Sequence, residues 1–115
     1  MQVITTLSGL NSPIKEGSEL ITVSTTVQVL TASKYIQRGS EATRDMGNAR
    51  FCIIQVQGSR IRVWFDATNP AGDEGFVYEP GSQITLGSEQ QMKDFRAILD
   101  DTAVSDAVLA VGYWR

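Results

Sequence analysis

The stretch Arg50–Gly87, RFCIIQVQGSRIRVWFDATNPAGDEGFVYEPGSQITLG, decides the fold. Short runs rich in β-branched and aromatic residues are cut by Gly-Ser, Asn-Pro, Gly-Asp and Pro-Gly, the punctuation of an all-β chain. Phe51–Gln57 and Arg60–Phe65 are predicted as strands joined in a hairpin at Gly58-Ser59. In the second, Ile61, Val63 and Phe65 share one face, Arg62 and Trp64 the other. Asp66–Gly75 reads as a turn-rich loop. Phe76–Glu79 and Gln83–Leu86 are predicted strands flanking Pro80-Gly81. That pair suits a type II turn, because Pro fixes φ at the first central position and Gly accepts φ > 0 at the second.

Upstream, Glu19–Leu30 is predicted as one long strand. Ile21, Val23, Thr25, Val27 and Val29 alternate with Thr22, Ser24, Thr26 and Gln28, a period of two. Thr31–Asn48 is polar, contains Gly39 and Gly47, and reads as a long loop with an irregular turn around Ser33–Gln37. Residues 1–18, MQVITTLSGLNSPIKEGS, begin with a candidate strand at Gln2–Leu7 and then meet Gly9, Asn11, Ser12, Pro13 and Gly17. They read as an arm or edge strand, or as a frayed terminus. Downstream, Ser88 and Gln91 fit a capping box and predict a helical turn over Glu89–Asp94. Phe95–Leu99 and Asp106–Trp114 are the last two predicted strands. The sum is an all-β, single-domain β-sandwich (jelly-roll-like) of about seven or eight short antiparallel strands over residues 19–115, preceded by the arm.

Composition bounds the function. A chain of 115 residues holds one core. With a net charge of −3 and no cluster of Lys and Arg, nucleic acid is a disfavoured partner. Cys52, the single cysteine, forms no intrachain disulfide and suits assembly in a reducing cytoplasm. No apolar run is long enough for a membrane helix, and residues 1–18 do not read as a secretory leader.

No constellation of residues points to catalysis. The chain lacks histidine, which removes the commonest general base and metal ligand. Cys52, among Phe51, Ile53 and Ile54, reads as a small core residue. Ser12-Pro13-Ile14-Lys15 matches the Ser-x-x-Lys of penicillin-binding enzymes, but the serine precedes a proline and no Lys-Thr-Gly follows. Asp66, Asn69, Asp73 and Glu74 offer oxygens suited to Ca²⁺, yet their spacing is not that of an EF-hand, and Asp and Asn are good turn formers. Glu79, Glu89, Asp94, Asp100 and Asp101 read as solvated turn charges, not as a glycosidase pair. The chain is therefore expected to be no enzyme, with no cofactor and no metal. Trp64, Tyr113 and Trp114 stand out instead. Tyr113 and Trp114 are adjacent, so in a strand they face opposite sides. Exposed aromatics favour interfaces; the alternative is that loops or the arm cover them.

The order of segments carries a resemblance. Ile54-Gln55-Val56, Ile61-Arg62-Val63-Trp64, Asp66-Ala67-Thr68-Asn69-Pro70, Gly75, Gly81 to Leu86, Phe95-Arg96-Ala97-Ile98 and Val111-Gly112-Tyr113-Trp114 follow one another as in a family of small tailed-phage virion proteins. Ala49–Trp114 thus resembles head-associated structural components. Ala67 stands where that pattern has Gly, and residues 1–48 carry no part of it.

The resemblance implies a β-sandwich that binds other virion proteins, a capsid decoration (cement) protein above all, in a virion assembled in the host cytoplasm. Its implied partners are the major capsid protein or another virion protein and further copies of itself, a trimer favoured and a dimer next. Neither nucleic acid nor membrane is an expected partner. The alternative is a tail, baseplate or fibre module attached to another virion protein or to host glycan. The expected contact residues are Gln2, Val3, Ile4, Leu7, Leu10 and Ile14 of the arm, with Arg62, Trp64, Arg96, Tyr113, Trp114 and Arg115.

Overall fold

The computed structural model describes residues 15–36 and 49–114. These residues form β1 (Lys15–Val23), α1 (Ala32–Tyr35), β2 (Phe51–Gln57), β3 (Ile61–Trp64), β4 (Phe76–Tyr78), β5 (Gln83–Leu86), α2 (Glu89–Asp94), β6 (Arg96–Leu99) and β7 (Ala107–Trp114). Alternation builds the long strands. β7 buries Ala107, Leu109, Val111 and Tyr113 and turns Val108, Ala110, Gly112 and Trp114 the other way. β2 does the same with Cys52, Ile54 and Val56, and β3 with Ile61 and Val63.

Two antiparallel sheets result, a large one ordered β1-β7-β2-β5 and a small one ordered β4-β3-β6. Their inward rows meet in one core in which Ile54, Val56, Ile61, Val63 and Leu109 are fully buried. Each such side chain contributes about 1.5–3 kcal/mol. After β1 the chain crosses to the far edge of the small sheet. There Gln28 and Ala97 exchange backbone bonds of 2.7 and 3.0 Å. Taking the Gln28 bridge as a vestigial strand, the chain visits large, small, large, small, small, large, small and large sheets in turn. That is the double Greek key of a jelly roll.

Three expectations change. Glu19–Leu30 is not one strand: β1 starts at Lys15 and ends at Val23, and Ser24, Thr25 and Thr26 bend the chain out of the sheet. Hydroxyl side chains tolerate such bends. Lys15–Ser18, read from sequence as the end of the arm, belong to β1, with Gly17 opposite Tyr113 and Ser18 opposite Gly112. β2 and β3 are not a hairpin. Both hydrogen-bonding edges of β2 are taken, by β7 and β5, so Gly58-Ser59 carries the chain into the other sheet. Gly58 sits at φ +85, where a Cβ would meet the Asp106 carbonyl oxygen at 3.1 Å. Residues 1–14, 37–48 and 115 lie outside the described residues, and with them the Gln2–Leu7 strand and most of the 31–48 loop.

Other expectations hold. Pro80-Gly81 turns with Ser82 N–H donating to the Glu79 carbonyl at 3.0 Å and Gly81 at φ 95. α2 covers Glu89–Asp94, with Ser88 accepting from Gln91 N–H at 3.2 Å and Gln91 Oε1 accepting from Gly87 N–H at 2.5 Å. Ala67 adopts φ 70, the left-handed region, unusual for a residue with a Cβ. Its N–H donates to the Asp94 carbonyl at 2.9 Å, which fixes that geometry. Ala67→Gly is expected to raise stability by about 0.5–1 kcal/mol, the left-handed cost to alanine less the extra freedom of glycine in the unfolded chain. Urea denaturation of the two chains measures it.

Candidate functional site

Register brings three of the expected contact residues onto the outer face of the small sheet. Trp64 on β3 lies opposite Arg96 on β6, and Arg62 lies between Val77 on β4 and Ile98 on β6. Beside them, β4 is an edge strand with Phe76 56% and Val77 42% exposed. Phe76 meets Trp64 edge-on with ring centroids 5.3 Å apart. Behind it Phe65 lies 6.0 Å from Phe76 and 6.1 Å from the buried Phe95. The surface aromatics are thus the visible end of a chain of rings rooted in the core, which holds them in place.

The two arginines, expected as contact residues, are bonded within the fold. Arg62 Nε donates to Asp100 Oδ1 at 2.6 Å and its guanidinium donates to the Gly75 carbonyl at 3.2 Å. Asp100 has its side chain fully buried and also accepts from the Thr102 N–H at 3.0 Å and from the Thr102 hydroxyl. The bond from Thr102 comes first, then that from Arg62, in holding the Asp100 carboxyl down at about pH 2, against the opposing effect of burial. Arg62 is therefore a strut between the 66–75 loop and the turn after β6. Arg96 donates to the carbonyls of Lys93 and Phe95 at 2.7 and 2.9 Å and closes the C-terminal end of α2.

Tyr113 presents no surface. It is fully buried, 6.0 Å from the Tyr35 ring, and its hydroxyl donates to Glu19 Oε2 at 2.5 Å. Burial first, and that bond second, hold the phenol protonated well above its ordinary range. Glu19 also accepts from the Thr31 hydroxyl at 2.6 Å and the Thr31 N–H at 3.1 Å, so it ties β1 to the start of α1. Parity decides between the neighbours: Tyr113 shares its side with Leu109 and Val111, Trp114 with Val108 and Ala110. Trp114 is half-buried and stacks on Phe51 at 6.2 Å with planes 9° apart. Its indole N–H is shielded and has no hydrogen-bond partner among the described residues. Gln2, Val3, Ile4, Leu7, Leu10, Ile14 and Arg115 fall outside the described residues.

The 66–75 loop is built by its own polar groups. Asp66 Oδ1 accepts from Thr68 N–H at 3.1 Å, and this contact with Thr68 lowers the Asp66 pKa. Ala71 and Glu74 exchange backbone bonds, and the Gly72 carbonyl accepts from Asp101 N–H at 2.9 Å. No group of three or more metal-ligating side chains gathers among the described residues.

A second surface escaped the sequence reading. The outer face of the large sheet carries Ser18, Leu20 and Thr22 from β1 and Val108, Ala110, Gly112 and Trp114 from β7. β2 adds Phe51, Ile53, Gln55 and Gln57, and β5 adds Gln83 and Thr85. From Gly17 onward no Asp, Glu, Lys or Arg side chain alternates onto this face among the described residues, in a chain that is 20% charged. Leu20 stands 75% exposed beside a trough of about 290 Å³ floored by Ala110 and Gly112. The signal lay in β7 and β2, whose outward positions hold no charge, but it needed the strand order to become one surface.

Two outcomes test this geometry. Asp100→Asn removes the carboxylate that holds Arg62 and is expected to cost about 3 kcal/mol at neutral pH. The Asp100 pKa is depressed in the folded state, so its stabilisation is present above the ordinary carboxyl value near 4 and lost as pH falls toward about 2. Denaturation midpoints across that range are expected to fall less steeply in Asp100→Asn. Burial pushes the Cys52 thiol up to about 12, and the residue is fully enclosed. Iodoacetamide at mildly alkaline pH is expected to leave it unmodified in the folded chain and to alkylate it in urea, as read by mass spectrometry.

Compared with family models, curated proteins and solved structures, the chain matches none of them.

Proposed function

We propose that the chain is a structural protein of a tailed-phage virion, a decoration protein that docks on the assembled head and holds neighbouring capsid subunits together. The observation that carries this reading is the Trp64–Phe76–Val77 edge. Phe76 is exposed on a short edge strand against the half-buried Trp64 of β3, and both are braced from behind by Phe65 and Phe95. A rigid aromatic patch is the form of an interface hot spot. Among the described residues the outer edge of β4 has no strand beside it, which leaves room for an added strand from a partner. The segment order from Ala49 to Trp114 points to the virion, and the partner to the major capsid protein or a neighbouring virion protein. Many copies, each binding weakly, stabilise a shell through avidity.

The same aromatic pair, flanked by the polar 66–75 loop, supports a second reading, a tail, baseplate or fibre module that stacks on a sugar ring. Co-sedimentation with emptied capsids separates the two. The decoration reading expects the wild-type chain to pellet with shells and raise their melting temperature. Trp64→Ala with Phe76→Ala should weaken binding by about 30-fold or more, corresponding to about 2 kcal/mol. A chain that stays in the supernatant but binds on a glycan array belongs to the tail.

A further inference from the structure

We infer that the outer face of the large sheet is a self-docking surface, through which two copies of this chain pair about a twofold axis. The surface lies on the opposite layer from the Trp64 edge, so it is independent of the function proposed above.

Charge selects the occupant. Each copy carries a net charge of −3, so two copies repel weakly as a whole, and a face without charge adds nothing to that repulsion. From Gly17 onward, and among the described residues, the large sheet's outer face lets them meet without charges set against each other; Lys15 stands at its end, in register with Trp114. Its polar groups are amides and hydroxyls, Gln55, Gln57, Gln83, Ser18, Thr22 and Thr85. Every one of them both donates and accepts, so the face can satisfy an identical copy of itself.

Shape agrees. A twofold interface needs each surface to hold both a projection and its complement. Leu20 is the projection, 75% exposed, and the Ala110–Gly112 trough beside it is the recess. Leu20 sits directly opposite Ala110 in the register, so projection and recess are neighbours on one sheet. Turning a second copy over this point sets each Leu20 into the other's trough.

Area sets the strength. Four strands about 4.8 Å apart and eight residues of about 3.3 Å each span up to about 500 Å². Two copies bury up to about 1,000 Å², the lower limit of a specific interface, which points to a reversible dimer.

Sedimentation velocity on the full chain from about 1 μM to about 1 mM reads this directly. The expected result is a monomer–dimer equilibrium. Leu20→Glu, which brings two carboxylates together across the axis, is expected to weaken it at least tenfold, and Ser18→Glu likewise. Val104→Glu, on the loop before β7 and 99% exposed, is expected to leave it unchanged. Circular dichroism checks that each variant folds. A wild-type chain that stays monomeric overturns the inference; if deleting residues 1–14 then brings on dimers, the chain's own first residues occupy the face. A discrete trimer overturns the twofold arrangement. A dimer indifferent to both Leu20→Glu and Ser18→Glu uses another surface.

Discussion

Neither sheet can bury its apolar row alone, and the rest of the structure follows from that constraint. Cys52, Ile54, Val56, Leu109 and Val111 line the inside of the large sheet; Ile61, Val63 and Ala97 line the inside of the small one. The rows are stable only face to face, so the chain must keep changing layers. Its local irregularities serve those changes: the bend at Ser24–Thr26, the positive φ of Gly58, and the Pro80-Gly81 turn. α2 occupies another crossing and adds Met92 to the core. The Arg62–Asp100 pair fixes the turn after β6, from which the chain returns to the large sheet.

Periodicity tells which way a side chain points and nothing about which strand lies beside it. That is why Phe51–Gln57 was legible to its ends, as were Glu89–Asp94 from its cap and the Pro80-Gly81 turn, while the β2–β3 hairpin was misread. Gly-Ser between two strands looks alike whether the chain doubles back in one sheet or steps to another. The same limit merged β1 with the Gln28 segment, because alternation continues through the bend. Parity could have separated Tyr113 from Trp114. Commitment of Arg62 to Asp100 could not be read, since the two are 38 positions apart and meet only in the folded sheet.

The two outer faces divide their chemistry. On the small sheet, arginines held by the fold surround a tryptophan, and an aromatic edge stands open. On the large sheet, from Gly17 onward no charged side chain alternates outward among the described residues, and small residues leave a recess. A protein with one sticky face saturates when it finds one neighbour. One with two unlike faces can join a neighbour of its own kind while remaining attached to something else, which suits a bridging role.

The position of β7 bears on the order of synthesis. It lies between β1 and β2, pairing with both along most of its length, yet it is translated after the other six strands of the described residues. Until it emerges, the large sheet consists of the β2–β5 pair, and β1 and β2 have no shared partner. A nascent chain must therefore hold β1 without its strand partner, and β2 paired on one edge alone, until β7 arrives, and the closing contacts span most of the sequence. Such a topology folds slowly and late, and leaves the unfinished chain reliant on whatever shields apolar strands in the cell.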